Sequence, residues 1–431
     1  MTTTEPRIRP TGPQAPEGLW RHRDFRTFWL GETISLLGTQ ITNLALPLTA
    51  VYAFHATDAQ VGLLRFLQLA PYLGLALVFG VWVDRRRRKR VMLWANLVRM
   101  LLIALVPVLN WMHGLDMAAL LVISCVVGVA SVLFDVSWMP YVPSLVRHPG
   151  LQVEANAKMG ISSSVAGVAG PGIAGAVVAA LTAPVALVLD AFSYGISVLS
   201  LLRIRTPEPE PVCSAERHVA KELRDGLNWV FSRPILRWLA LVGFCCNLSM
   251  TAVWTMFLLY GTHELHLGSS TLGVIFTVSS VGGVLGAVAS GKVISRFPLG
   301  RVYFAAQTGL LLGPTLIVLI DRPGPSAVVL ATGSFFVTYL GLGIANVIIV
   351  TLRQAVTPQA MMSRITACFR MFLFGGGALG GLFAGLLTGW TGDKNALIAA
   401  AAFSAVVVLA LAASPVSRLR SLPPATGPQP L

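Results

Sequence analysis

Long apolar runs recur along this chain, separated by short polar or charged segments. Each run is near the ~20 residues that cross a bilayer as an α-helix. A transmembrane β-barrel would instead carry ~10-residue segments of alternating polarity, a pattern this sequence lacks. The runs predict twelve helical spans, at 27–54, 60–83, 91–110, 117–139, 158–182, 184–204, 235–262, 270–291, 301–320, 326–350, 365–388 and 395–413. An even number of spans puts both termini on one face. Prolines and charges in RIRTPEPEPVCSAERH break the pattern after Leu202 and read as a linker. Beyond it, Val219, Leu223, Leu227 and Val230 recur at helical spacing with Arg217, Lys221 and Arg224 elsewhere around the helix, which suits a helix lying along the membrane surface.

The chain therefore divides into a tail (1–24), a six-span block (25–204), a linker with an amphipathic helix (205–233), a second six-span block (234–413) and a tail (414–431). The two blocks read as copies. Gly80, Arg85 and Arg90 recur as Gly291, Arg296 and Arg301, each shifted by 211 positions, and AGPGIAG has a counterpart in GALGGLF at a shift of 208. The predicted fold class is an all-α polytopic membrane protein, with two pseudo-symmetric six-helix bundles around a central cavity. Duplicated halves of this kind suit a rocking transporter that binds its substrate between them.

Composition agrees with that class: 55% of the 431 residues are hydrophobic, 12% are charged, and the mean hydropathy is +0.73. A soluble domain needs far more charge to cover its surface. Charge adds the orientation. Of the 32 Lys and Arg, 28 fall on the face carrying the termini, only Arg322 and Lys394 lie on the opposite loops, and Arg65 and Arg99 fall inside spans. By the positive-inside rule both termini are cytoplasmic. The net charge of +14 then reflects topology and anionic lipid head groups, with no nucleic-acid partner implied. The first two dozen residues are polar and proline-bearing and do not read as a secretory signal.

The richest charged stretch is GVWVDRRRRKR, Gly80 to Arg90, between spans 2 and 3. Six consecutive cations cannot sit in hydrocarbon, so the stretch is a loop at the membrane surface. A glycine, three residues, an acid and then basic residues resembles the signature loop between helices 2 and 3 of the major facilitator superfamily. LGETISLLGTQITNLALPL, LVRHPGLQVEANAK, DAFSYGISVLSLLRI and TLRQAVTPQAMMSRITA further resemble bacterial efflux proteins of the macrolide-efflux and enterobactin-exporter type. The resemblance covers nearly the whole chain. It implies a secondary active transporter exporting a small, lipophilic or amphipathic compound by proton-coupled alternating access. It implies a monomer in the inner membrane, without cofactor. Uptake or siderophore transport on the same fold, and a non-transporting receptor or scaffold, are the alternatives.

The resemblance also implies that Gly80, Asp84, Arg85 and Arg88 form a latch between the halves, with Asp135 as acidic partner of the loop arginines; fixing topology and binding lipid is the plainer role. This sequence has Arg87 where the family pattern carries glycine. Gly167, Gly170, Pro171 and Gly175 partly match an antiporter-type kink, Ala176 replacing the last glycine. A proline opens the helical hydrogen-bond ladder and glycines let helices approach, so simple packing explains them too. Glu32 and Asp190 are the proton-coupling candidates, because a carboxylate inside a span is costly unless protonated or paired. Asn43, Asn247, Trp254, Asn346 and Arg370 are the cavity candidates. The sequence contains no nucleotide-binding loop, nucleophile motif or metal-ligand spacing, which argues against an enzyme. A cysteine introduced beside Arg322 or Lys394 is expected to react with an impermeant maleimide on intact cells, and one within 85–90 only after permeabilisation.

Overall fold

A computed structural model describes residues 19–146, 149–208, 219–320, 322–357 and 362–421. Its helices are α1 (Arg23–Phe54), α2 (Asp58–Leu69), α3 (Pro71–Asp84), α4 (Arg88–Trp111), α5 (Met117–Leu145), α6 (Pro149–Ala180), α7 (Ala183–Arg203), α8 (Val219–Ser232), α9 (Pro234–His263), α10 (Ser269–Arg296), α11 (Leu299–Leu312), α12 (Pro325–Ala355), α13 (Met362–Thr391) and α14 (Asp393–Ala412). Among the described residues, eleven stretches are long and apolar enough to cross a membrane alone. The twelfth span is α2 and α3 together. Pro71 cannot donate to the ladder, so the second predicted span is divided at Ala70. Pro314 acts likewise in the ninth span, where α11 tightens into a 3-10 stretch over Gly313–Leu319.

Connections are short, and their caps are encoded locally. Thr57 and Gln60 form a reciprocal capping box that starts α2. The Asp116 carboxylate accepts from the Ala119 N–H at 2.7 Å to start α5. α1 ends where His55 turns left-handed at φ 47°.

In the first half α1 packs on α6 and α7, and α4 on α5 and α7. In the second half α9 packs on α13, and α10 on α12. The halves meet chiefly through two pairs, α2 with α13 and α6 with α10. These pairs exchange under the sequence repeat, since α2 and α10 are second spans and α6 and α13 fifth spans. One buried cluster runs through both halves, from Ile41, Leu44 and Leu64 to Met256, Phe276 and Tyr339. Large apolar side chains such as Leu101, Val122, Phe192, Val288, Val329 and Leu409 stay exposed, as lipid-facing positions require.

α8 does more than lie on a surface. Val230 is fully buried in the second half's cluster, and Phe231 meets Phe372 of α13 edge to face at 5.7 Å. On the first half, the Asp24 carboxylate accepts from the N–H groups of Arg205 and Thr206 at 3.0 and 2.7 Å. The linker is thus tied to both halves on the face that carries the termini.

Aromatic packing is densest in the second half, where Phe335 sits 4.9 Å from Phe257 and 5.2 Å from Phe276 between ring centroids. Phe335→Ala is expected to remove about 3 kcal/mol of stability through the cavity it leaves. A lowered midpoint of thermal unfolding in detergent would report the loss.

Candidate functional site: a central cavity between the halves

A cavity of about 190 Å³ lies between the halves, lined from the first by Gln40, Asn43, Leu44, Arg65, Gly167 and Pro171. Asn247, Met250, Thr251, Trp254, Phe276, Tyr339 and Leu342 line it from the second. Its polar wall is organised by α1. The Asn43 amide donates to Gln40 Oε1 at 3.2 Å, and Asn43 Oδ1 accepts from Arg65 at 3.2 Å. Arg65 also donates to Gln68 Oε1 at 2.9 Å, and its guanidinium lies 5.3 Å from the Trp254 ring centroid. Pro171 has no N–H for the Gly167 carbonyl one turn back, so both of its cavity-lining positions mark a weakened point in α6.

The two ends of the cavity are closed differently. Towards the face opposite the termini, backbone meets backbone: a Cβ on Gly62 would strike Gly381 and Gly385, and one on Gly175 would strike the Gly273 carbonyl. Hydrogen bonds cross the same seam, from Tyr52 Oη to the Leu267 carbonyl (2.5 Å), Ser270 Oγ to the Ala179 carbonyl (3.1 Å) and Thr277 Oγ1 to the Gly172 carbonyl (2.8 Å). At its rim His263 Nδ1 lies 3.6 Å from Asp58 and 3.4 Å from Asp393. One ligand atom from each of these three lies within 4.8 Å of the others, an arrangement with metal-holding geometry.

Towards the terminus face the closure is a thin layer of side chains. The Tyr72 ring stacks on Phe374 with centroids 4.1 Å apart, Tyr72 Oη donates to Asp135 Oδ2 at 2.8 Å, and Arg370 Nη1 lies 3.5 Å from the same oxygen. Beyond that layer, Cβ atoms on Gly80, Gly160 or Gly291 would meet nothing within 4 Å. Gly80 therefore does not bring two helices together in this conformation.

Two intramembrane carboxylates differ sharply in their company. Asp190 is fully buried, yet both its oxygens are occupied: Thr42 Oγ1 donates to Oδ2, and Ser193 Oγ to Oδ1 at 2.8 Å. It pins α7 to α1. Glu32, 3% exposed, has an Oε2 without any hydrogen-bond partner. The charges acting on it are Arg99, Asp135 and Arg370. Arg99 is no ion-pair partner for it, donating instead to Asn96 and lying 4.5 Å from the ring centroids of both Phe134 and Tyr194.

The Major Facilitator Superfamily model matches residues 28–381 and 239–430, which together reach almost the whole chain. The chain belongs to the Major Facilitator Superfamily. It is a multi-pass membrane transporter, not an enzyme, and twelve spans in two halves are the architecture of its superfamily. The chain is 27% identical to the multidrug efflux pump Tap of Mycolicibacterium fortuitum over 404 residues, covering 91% of this chain and 95% of Tap. It is 24% identical to the enterobactin exporter EntS of Escherichia coli O1:K1 / APEC over 416 residues, covering 94% and 95%. In fold it superposes on the nucleoside transporter NupG with a TM-score of 0.69 at 15% identity, covering 91% of this chain and 98% of NupG. A bacterial homologue of the lysosomal transporter Spinster, crystallised inward-facing and unoccupied, gives 0.69 at 14% identity, covering 93% and 97%.

Set on this superfamily fold, the sequence-chosen residues separate into groups. Asn43, Asn247, Trp254, Gly167 and Pro171 line the cavity; Gly170 packs on Gln40, and Gly175 on the far seam. Asn346 of α12 does not line the cavity, and Arg370 sits in the layer below it with Asp135. Asp135 meets Arg370 of α13 and Tyr72 of α3 in this conformation. Of the loop itself, the N–H groups of Arg88 and Lys89 donate to the Glu208 carboxylate at 2.7 and 3.2 Å, and Arg88 Nη1 to the Pro140 carbonyl at 3.2 Å. Arg85 is exposed, and the side chain of Asp84 lies outside the described residues. Sequence reading missed Gln40, Tyr72, Phe374 and the Asp58–His263–Asp393 trio, whose members are far apart in the chain. The far seam generates a direct expectation: Gly175→Leu leaves no room for α10 and should hold that face apart. Spin labels at 57 and 395 would then report a longer mean distance than in the parent, and an unchanged distribution would show that the seam tolerates the bulk.

Proposed function

We propose that this transporter is a secondary active exporter that moves a small lipophilic or amphipathic compound out of the cytoplasm in exchange for protons. The charge asymmetry of the loops supports a cytoplasmic terminus face in the inner membrane. The halves, taken as 25–204 and 234–413, rock about the cavity as a monomer. In that orientation the backbone seam lies towards the outside, and the Tyr72–Phe374 and Asp135–Arg370 layer lies on the cytoplasmic side of the cavity. The names of Tap and EntS, both exporters, favour outward transport. The 2–3 loop, with Gly80, Asp84, Arg85 and Arg88, would latch the halves in the opposite, outward-facing state. The small size of the cavity fits a resting state, since pockets for drug-sized ligands run to roughly 300–1,000 Å³.

Glu32 is the observation that carries proton coupling. A buried carboxylate oxygen without a donor is unfavourable when charged and acceptable when protonated. Asp190 lacks that property, because hydroxyl donors already satisfy its charged form. In proteoliposomes Glu32→Gln is expected to abolish export driven by a pH gradient while sparing substrate binding and energy-independent exchange. Gradient-driven export at the parent rate would remove Glu32 from the mechanism. Loss of folded protein instead would assign it a structural role.

A further inference from the structure

Among the described residues that line the central cavity, one side chain is charged, the guanidinium of Arg65. Its hydrogen bonds go to neutral amides: Nη1 donates to Asn43 Oδ1 and Gln68 Oε1, while Nε has no partner. None of the ion pairs among the described residues includes it. Neutral acceptors orient a guanidinium, and the Trp254 ring 5.3 Å away favours its charge, but no anion balances it in a low-dielectric setting. Two of the donors and acceptors around it are themselves held in place, since Gln40 fixes the Asn43 amide and donates in turn to the Ala166 carbonyl at 3.1 Å. A cation has been built into this wall and given no carboxylate.

The facing wall is of another kind. Trp254 stacks on Phe276 with centroids 5.7 Å apart and planes 30° from parallel, and Met250, Tyr339 and Leu342 extend that apolar surface. Asn247 and Thr251 add polar groups on the same side. The cavity thus pairs one fixed positive charge on the first half with an aromatic and aliphatic face on the second. A guanidinium offers a planar fork of donors that matches a carboxylate, sulfonate or phosphate, whereas a cationic compound would be repelled.

We infer that the compounds handled here are amphipathic anions, an acidic group held by Arg65 with an aromatic or alkyl body against Trp254, Phe276 and Tyr339. This rests on the reading of the cavity as the transport site. Because the site draws on both halves, a bound anion would neutralise the buried cation and bridge the halves at once, so the ligand completes the polar wall.

The test uses three probes with one body and different charge: 2-naphthoate, neutral 2-naphthamide and 2-naphthylmethylammonium. Binding is measured by calorimetry on the full chain in lipid nanodiscs, with empty nanodiscs subtracting partition into lipid. The parent protein should bind the anion at least about tenfold more tightly than the neutral or cationic analogue, the scale expected of one charge-assisted bidentate contact. Arg65→Gln should erase that preference and Arg65→Lys should retain it. Equal binding of all three probes by the parent, preference for the cation, or an anion preference that survives in folded Arg65→Gln would overturn the inference. The comparison within the parent decides the matter even if Arg65→Gln fails to fold. Flux of the same probes into proteoliposomes separates the two readings. Arg65-dependent anion binding without flux of any probe would sink export and keep the anion site. Gradient-driven flux that ignores probe charge and Arg65 would keep export and sink the anion site.

Discussion

A bilayer supplies no hydrophobic force to hold one six-helix bundle against another, since lipid tails are as apolar as leucine. The halves of this protein must therefore cohere through close packing and hydrogen bonds. They do so where glycine removes the side chains, along α2 against α13 and α6 against α10. Every other feature of the site follows from those two seams. They set the width of the cavity and bring Trp254 of one half over Arg65 of the other.

The same medium sorts the buried polar groups. Asp190 and Asn96 are buried at no great cost because hydroxyls, Thr42 and Ser193 for the one and Ser197 for the other, meet them from α1 and α7. Arg99 rests on two aromatic faces, which favour a cation where water is excluded. Ten buried side-chain atoms among the described residues lack a hydrogen-bond partner, Arg99 Nε included; of their side chains Glu32 is the one acid and Arg65 the one that lines the cavity. Groups left unmet in a membrane interior are candidates for function, because a structural role would have been served more cheaply by satisfying them.

Much of the fold was legible in the sequence because its signals are local. Apolar run lengths, the charge of the loops and the 211-residue shift of Gly80, Arg85 and Arg90 require no knowledge of packing. The breaks at Pro71 and Pro314 were less so, since the apolar runs continue through both prolines and hide the change of helix. The site was legible only in part. Asn43, Asn247 and Trp254 reach the cavity as expected of polar or aromatic positions inside spans, but Asn346 of α12 does not, and no composition signal separates them. Asp135 was expected to meet the loop arginines, whereas its contacts Tyr72 and Arg370 come from α3 and α13, and no spacing rule links positions so distant. Arg65 was visible as a charge in an apolar run. That it faces a tryptophan of the other half is information only the folded chain carries.

The asymmetry between the two closures bears on how such a machine could turn over. The far seam is long and made of backbone, so opening it means separating α2 from α13 and α6 from α10 over several turns together. The other closure is made of side chains, with one ring stack, one partly exposed ion pair at 3.5 Å and Leu73 against Gly375. A conformation with one strong and one weak closure is biased towards opening at the weak side. Reversing that bias requires new contacts at the terminus face to replace those lost at the far face. Gly80 and Gly291 occupy equivalent places in the sequence repeat, and a Cβ at either would meet open space. A duplicated architecture of this kind suits alternation between a closure at one face and a closure at the other.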